Sequence, residues 1–173
     1  HVVRSGVVGT MKRVSSVWKV VPGVKRMLDA AEFPPIPQNP KGVKVEMGAK
    51  LPSPGSELVV VTGTAPRPIE PFVTAGTPGK DDPHNVIVRV YTNVPGFTEE
   101  QAWERLEALG TVVEETFREL ERGKPIISDE LREAGVWNLT ATVTQTSVFP
   151  AGDAGGNGYL GEAEITVTTS ARI

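Results

Sequence analysis

Cysteine is absent from this chain, and histidine occurs only as His1 and His84. Without thiols there is neither a disulfide framework nor a thiolate metal site, and two histidines this far apart make no histidine cluster. No apolar run approaches the length of a membrane span and no signal peptide is recognisable, the pattern expected of a soluble chain of intracellular origin. Nor is there an excess of positive charge. A net charge of -3 argues against general binding of nucleic acid.

Proline and glycine, by contrast, are abundant, at 15 and 18 residues in a chain of 173. They cluster between periodic segments, which predicts a loop-rich architecture around one modest core. The most informative stretch begins at Asn85 and reads NVIVRVYTNVPGFTEEQAWERLEALGTVVEETFREL. Val86, Val88 and Val90 alternate with Ile87, Arg89 and Tyr91, as in a strand. Pro95-Gly96 ends that strand, and Thr98 with Gln101 forms a T-x-x-Q capping box that opens a helix at about Glu99. Ala102, Leu106, Leu109, Val113, Phe117 and Leu120 supply its apolar stripe, and eight glutamates surround them between Glu99 and Glu121. Gly123 and Pro125 are read as its end.

Pro22 is placed to begin a short helix over residues 22–32, with Val24, Met27, Leu28 and Ala31 as apolar positions. Pro34, Pro35, Pro37 and Pro40 then impose extended backbone. Val43, Val45 and Met47 alternate with Lys44 and Glu46. Residues 58–62 form a β-branched run, and the two segments are expected to pair as a hairpin. Residues 65–83 read as a long Pro-Gly connection of the kind that is functional or disordered. Ser128 is an N-cap candidate for a further helical turn. Trp137, Leu139, Ala141 and Val143 define one face of a strand. Ala163, Ile165, Val167 and Thr169 define another, antiparallel to it across the glycine-rich tip PAGDAGGNG. The sum is an α+β fold: a mostly antiparallel four- to five-stranded sheet with one long and one short helix on one face. Residues 1–20 are an arm and 21–173 a single domain.

Chemistry is sparse in this sequence. Asp81, Asp82 and His84 form no metal-ligand set, because Pro83 interrupts helical presentation and no second histidine is near. A polar turn entering the strand is the expected role of His84. GDAGGNG lacks the Lys-Ser/Thr ending and following helix of a phosphate loop, and carries too few carboxylates for calcium. No G-x-S-x-G elbow or activated serine stands out. Trp18, Trp103 and Trp137 are read as core or interface anchors. No enzyme activity, cofactor or metal is expected.

In order, VPGVKRMLDAA, GVKVEMG, ELVVVTG, NVIVRVYTNVPG, the helix EEQAWERLEALGTVVEETFREL and the closing GGNGYLGEAEITVTTSAR are similar to the tail terminator proteins of long-tailed bacteriophages, also called tail-to-head joining or tail completion proteins. The resemblance spans roughly residues 21–172 and departs at the ten-residue leader and the long 65–83 segment. It implies a structural virion protein that caps the tail tube as a homo-oligomeric ring, commonly a hexamer, ends tube growth and joins the connector of the head. Its implied partners are the tail tube protein and the head-tail connector protein. Its implied place is the head-tail joint of a virion assembled in the host cytoplasm. No membrane and no specific nucleic acid are implied, although DNA may pass through the ring. The other readings are a different neck or head-completion protein, or a module whose pocket under residues 65–83 binds a small molecule or peptide; a hydrolase is the weakest.

Charge suggests where such subunits touch. Residues 1–30 hold Arg4, Lys12, Arg13, Lys19, Lys25 and Arg26 against Asp29 alone, whereas residues 98–122 hold eight glutamates against three arginines. The expected contact set is therefore Arg4, Lys12 and Arg13 on the basic segment and Glu104 and Glu107 on the long helix, joined by Asp153 and Asn157 on the glycine-rich tip, whose length and glycine content exceed what its turn requires.

Overall fold

A computed structural model describes residues 15–65, 70–74, 77–152 and 158–172. Along the chain run α1 (Val17–Asp29), β1 (Val43–Met47), β2 (Ser56–Ala65), β3 (Glu70–Thr74), β4 (Thr77–Asn93), α2 (Glu99–Arg118), β5 (Leu120–Glu121), β6 (Lys124–Pro125), α3 (Asp129–Glu133), β7 (Val136–Pro150) and β8 (Tyr159–Arg172). The main sheet has the order β1-β2-β4-β8-β7, with β3 beside the first part of β4. The fold is α+β, and every pairing but one in this sheet is antiparallel.

Strand β4 is the spine, and its alternation sets the layers. Val86, Val88 and Val90 are fully buried beneath the helices together with Val59 and Val61 of β2 and Ile165 and Val167 of β8. α2 packs over β4, β7 and β8, while α1 packs over β1, β2 and β4. Ala102, Leu106, Leu109, Val113 and Phe117 deliver the buried stripe of α2, and its capping box forms as expected, Thr98 Oγ1 accepting from the Gln101 N–H. The opposite face of the sheet carries Arg89, Glu162, Glu164 and Thr166 around a small buried patch of Leu58, Val60 and Tyr91.

The structure revises four local expectations. First, α1 begins at Val17, so Pro22 lies inside the helix. Val20, Val24 and Leu28 recur at four-residue spacing and are fully buried, and that packing carries the helix through a proline that forfeits the bond to the Trp18 carbonyl. Second, β1 and β2 pair in parallel, Val43 opposite Glu57 and Met47 opposite Val61. The connection 48–55 is long enough to carry the chain back along the short β1, with Gly48 and Gly55 supplying positive φ values of 97° and 81°.

Third, residues 65–83 are paired strand over much of their length. β3 continues along the same edge of β4 that β2 occupies, so that β2 and β3 together make one arm of a long hairpin. Two of its prolines sit where a strand tolerates them. Pro71 lies on the outer strand, and Pro83 falls between the β2 and β3 registers, positions where a missing N–H breaks little of the ladder. Fourth, α2 stops at Arg118, and Leu120 leaves the stripe to become 60% exposed. Arg122 and Gly123, with φ of 52° and 76°, turn β5 into β6, as a two-residue hairpin loop demands.

Beneath the N-terminal half of α2 lies a buried ion pair. Arg105 Nε donates to Glu57 Oε2 and Nη2 to Oε1, each at 2.8 Å. Glu57 also accepts from Asn39 Nδ2 at 3.0 Å and Thr92 Oγ1 at 2.8 Å, and Arg105 Nη1 donates to the Pro34 carbonyl at 2.7 Å. Burial pushes the Glu57 carboxyl up, but the hydrogen bonds from Arg105, Asn39 and Thr92 outweigh it and hold the group below its ordinary value. Arg105→Ala strands this carboxylate and is expected to cost about 3–5 kcal/mol in urea unfolding near neutral pH; a loss below about 1 kcal/mol contradicts the clamp. Since the folded carboxyl titrates below 4.5, the contribution is complete above that value and disappears as pH falls through the folded value. Glu57→Gln should accordingly be less stable near neutrality yet lose stability less steeply on acidification than the parent.

Candidate interaction surface

The outward side of α2 is acidic with an aromatic centre. Glu99 and Glu100 lie in its first turn, where the helix dipole favours them, and Glu104 and Glu107 follow one and two turns later. They surround Trp103, which is 44% exposed. Among the described residues none of these four carboxylates has an ion-pair partner. Next to them an apolar groove of about 230 Å³ runs between α2 and strands β7 and β8, lined by Trp103, Leu106, Gly110, Val143 and Ile165. The absent side chain of Gly110 keeps the groove open, and a β-bulge between Val143 and Gln145 leaves Val143 partly exposed at its edge.

Of the contact residues expected from the sequence, Glu104 and Glu107 are brought together on this face. Arg4, Lys12 and Arg13 lie outside the described residues, as do Asp153 and Asn157 of the tip.

Past the other end of α2 the surface changes sign. Arg122, Lys124 and Arg132 outnumber Glu121 in the lining of a concavity of about 740 Å³, which also holds Ile126 and Trp137 and is formed by the β5–β6 hairpin and the start of β7. A bulge between Val136 and Asn138 gives Val136 the core position and turns Trp137 outward, which corrects its reading as part of the Leu139 face. The indole is held from both sides: Nε1 donates to Asp81 Oδ1 at 3.1 Å, and the Arg172 guanidinium stands 5.4 Å from the ring centre. Sequence periodicity missed this concavity because one inserted residue reverses the phase of a strand. The clue available in the sequence was the pair of adjacent apolar residues Val136-Trp137.

His84, expected in a polar turn, instead lies within β4 and is buried. Its Nε2 stands 3.0 Å from both Asp82 Oδ2 and Ser16 Oγ. Serine, histidine and aspartate thus meet, but on a single ring nitrogen, whereas a nucleophilic relay needs the acid and the serine on opposite nitrogens. The arrangement serves the helix. Asp82 Oδ2 accepts from the Ser16 backbone N–H at 2.7 Å, Ser16 Oγ at 2.9 Å and Ser15 Oγ at 3.0 Å, placing a carboxylate from the sheet at the start of α1, whose own first turn has none. Burial raises the Asp82 pKa, and the Ser16, His84 and Ser15 hydrogen bonds bring it below the ordinary value. Among the described residues no group of three histidine, aspartate or glutamate side chains is placed to hold a metal ion, and no helix is long and apolar enough to cross a membrane.

No protein-family model matches the chain, and no curated protein matches it in sequence. Among solved structures, a chain in the virion of a native gene transfer agent particle is similar, with a TM-score of 0.44 and 13% identity, over 89% of this chain and 95% of that one.

Asp82→Ala removes the acceptor at the start of α1 and should cost about 1–3 kcal/mol, the scale for unsatisfied buried donors. Faster amide exchange confined to the first turns of α1 is the expected signature; unchanged protection there contradicts the capping role.

Proposed function

We propose that the chain is a structural subunit of a phage-type virion that assembles with copies of itself into a ring on the end of a tail tube, halts tube growth and forms the joint to the head connector. The observation that carries this reading is the placement of the tryptophans. Trp18, Trp103 and Trp137 are 78%, 44% and 46% exposed, while the buried hydrophobic side chains are valine, leucine, isoleucine, alanine and phenylalanine, with Tyr91 beside them. Tryptophan is the side chain that contributes most per residue when a protein surface is covered, so a chain that keeps all three outside is equipped for contact with other proteins. The resemblance of the sequence to tail terminator proteins supports the choice of this virion position.

Light scattering over a concentration series tests the reading directly. A discrete species near 111 kDa is expected, the mass of six chains of 18.5 kDa, and it should appear at tube ends in stained micrographs when tail tubes are added. Tryptophan emission should shift to shorter wavelength as the species forms. A single chain at every concentration, with constant emission and bare tube ends, overturns the proposal.

A further inference from the structure

Trp103 and Trp137 stand near opposite ends of α2, the first among carboxylates without ion-pair partners and the second at a hollow with more cationic than anionic side chains. Around Trp103 are Glu99, Glu100, Glu104 and Glu107. Around Trp137, the 740 Å³ concavity is lined by Arg122 and Lys124, both exposed and, among the described residues, without an ion-pair partner, together with Arg132, which pairs with Asp129, and a single carboxylate, Glu121. The separation is fixed, since α2 is one uninterrupted helix and Trp103 is roughly 20 Å along its axis from Arg118. A chain cannot bring its own acidic turn into its own basic concavity.

We infer that the concavity lined by Arg122, Lys124, Ile126 and Trp137 receives the Trp103-bearing face of α2 from a second copy of this chain. This rests on the ring reading and gives it its two faces. The occupant is a copy because the molecule carries both halves: an aromatic with unpaired carboxylates on a convex helix, and an aromatic with unpaired cations in a hollow. The contact joins two different patches, so it is head-to-tail, and such a contact repeats until a rotation closes it into a ring. The exposed apolar residues Ile126 and Trp137 would cover Trp103 at the centre, with the charges at the rim setting orientation and rate of encounter.

The test uses the full chain and two charge reversals, Glu104→Lys with Glu107→Lys, and Arg122→Glu with Lys124→Glu, each first shown by circular dichroism and thermal unfolding to fold like the parent. Each variant alone presents like charge to like charge, and its half-assembly concentration should rise at least ten-fold. Mixed in equal amounts the two become complementary again, and assembly should return. Raising ionic strength should weaken the parent ring and the mixture alike.

A mixture that stays dissociated, or an R122E/K124E variant that assembles like the parent, overturns the assignment of faces. So does assembly abolished by Lys12→Glu with Arg13→Glu but not by R122E/K124E, because the acidic face would then be taken by the basic N-terminal segment. A parent chain that never assembles removes the ring reading itself, whereas a parent ring indifferent to R122E/K124E removes only this pair of faces.

Discussion

The fold depends on one charge pair taken out of water. Glu57 and Arg105 come from β2 and α2, Thr92 from β4, and Asn39 and Pro34 from the proline-rich segment between α1 and β1. Desolvating a carboxylate and a guanidinium costs several kcal/mol each, which only a fully hydrogen-bonded arrangement offsets. The bidentate geometry and the two further donors to Glu57 provide it. The clamp therefore admits one rotation of α2 about its axis and one position along the sheet. The proline-rich segment has little regular ladder of its own, so its path is fixed by what Arg105 and Glu57 hold: the Pro34 carbonyl, and Asn39, which also donates to the Gly42 carbonyl. With the rotation of α2 fixed by its buried face, the direction in which Trp103, Glu104 and Glu107 point outward is fixed as well.

Burial and exposure are divided by residue type. Valines and leucines close the interior, and among the largest fully buried side chains only Phe117 is aromatic. Glycine is used where backbones or side chains come close: a Cβ on Gly23 would lie 2.5 Å from Leu131 Cδ2, so α1 and α3 cross in near contact. Such packing leaves the indoles and most of the charge at the surface, where they are available to neighbours. It also separates the residues that hold the molecule together from those proposed to hold molecules to each other.

Much of the architecture was legible in the sequence because it follows from periodicity. The alternation at Val86, Val88 and Val90, the capping box at Thr98 and Gln101, the stripe on α2 from Ala102 to Phe117 and the Ser128 cap all stand as read. What failed depended on partners distant in sequence. Pro22 looks like a helix start until the buried faces of Val20 and Val24 and the carboxylate of Asp82 are known to support the turns before it. A hairpin was the local expectation for β1 and β2, yet the long return 48–55 permits a parallel pair. Trp137 lost its phase to a bulge. Arg105 was legible in principle, since it falls on the buried side of α2 between Ala102 and Leu109, but only the folded chain reveals that Glu57 meets it there.

The seam between β4 and β8 joins residues separated by 69 positions at Thr92 and Gly161 and by 91 at Asp81 and Arg172. Each flanking hairpin, β3 with β4 and β7 with β8, is by comparison local. Closing a seam of such high contact order is the slow part of folding, because chain entropy is lost before its contacts form. α2 lies within that loop and packs on strands from both hairpins. The seat of α2 across both hairpins is therefore complete only when the seam has closed, so a half-folded chain would offer an incomplete version of the proposed contact surface.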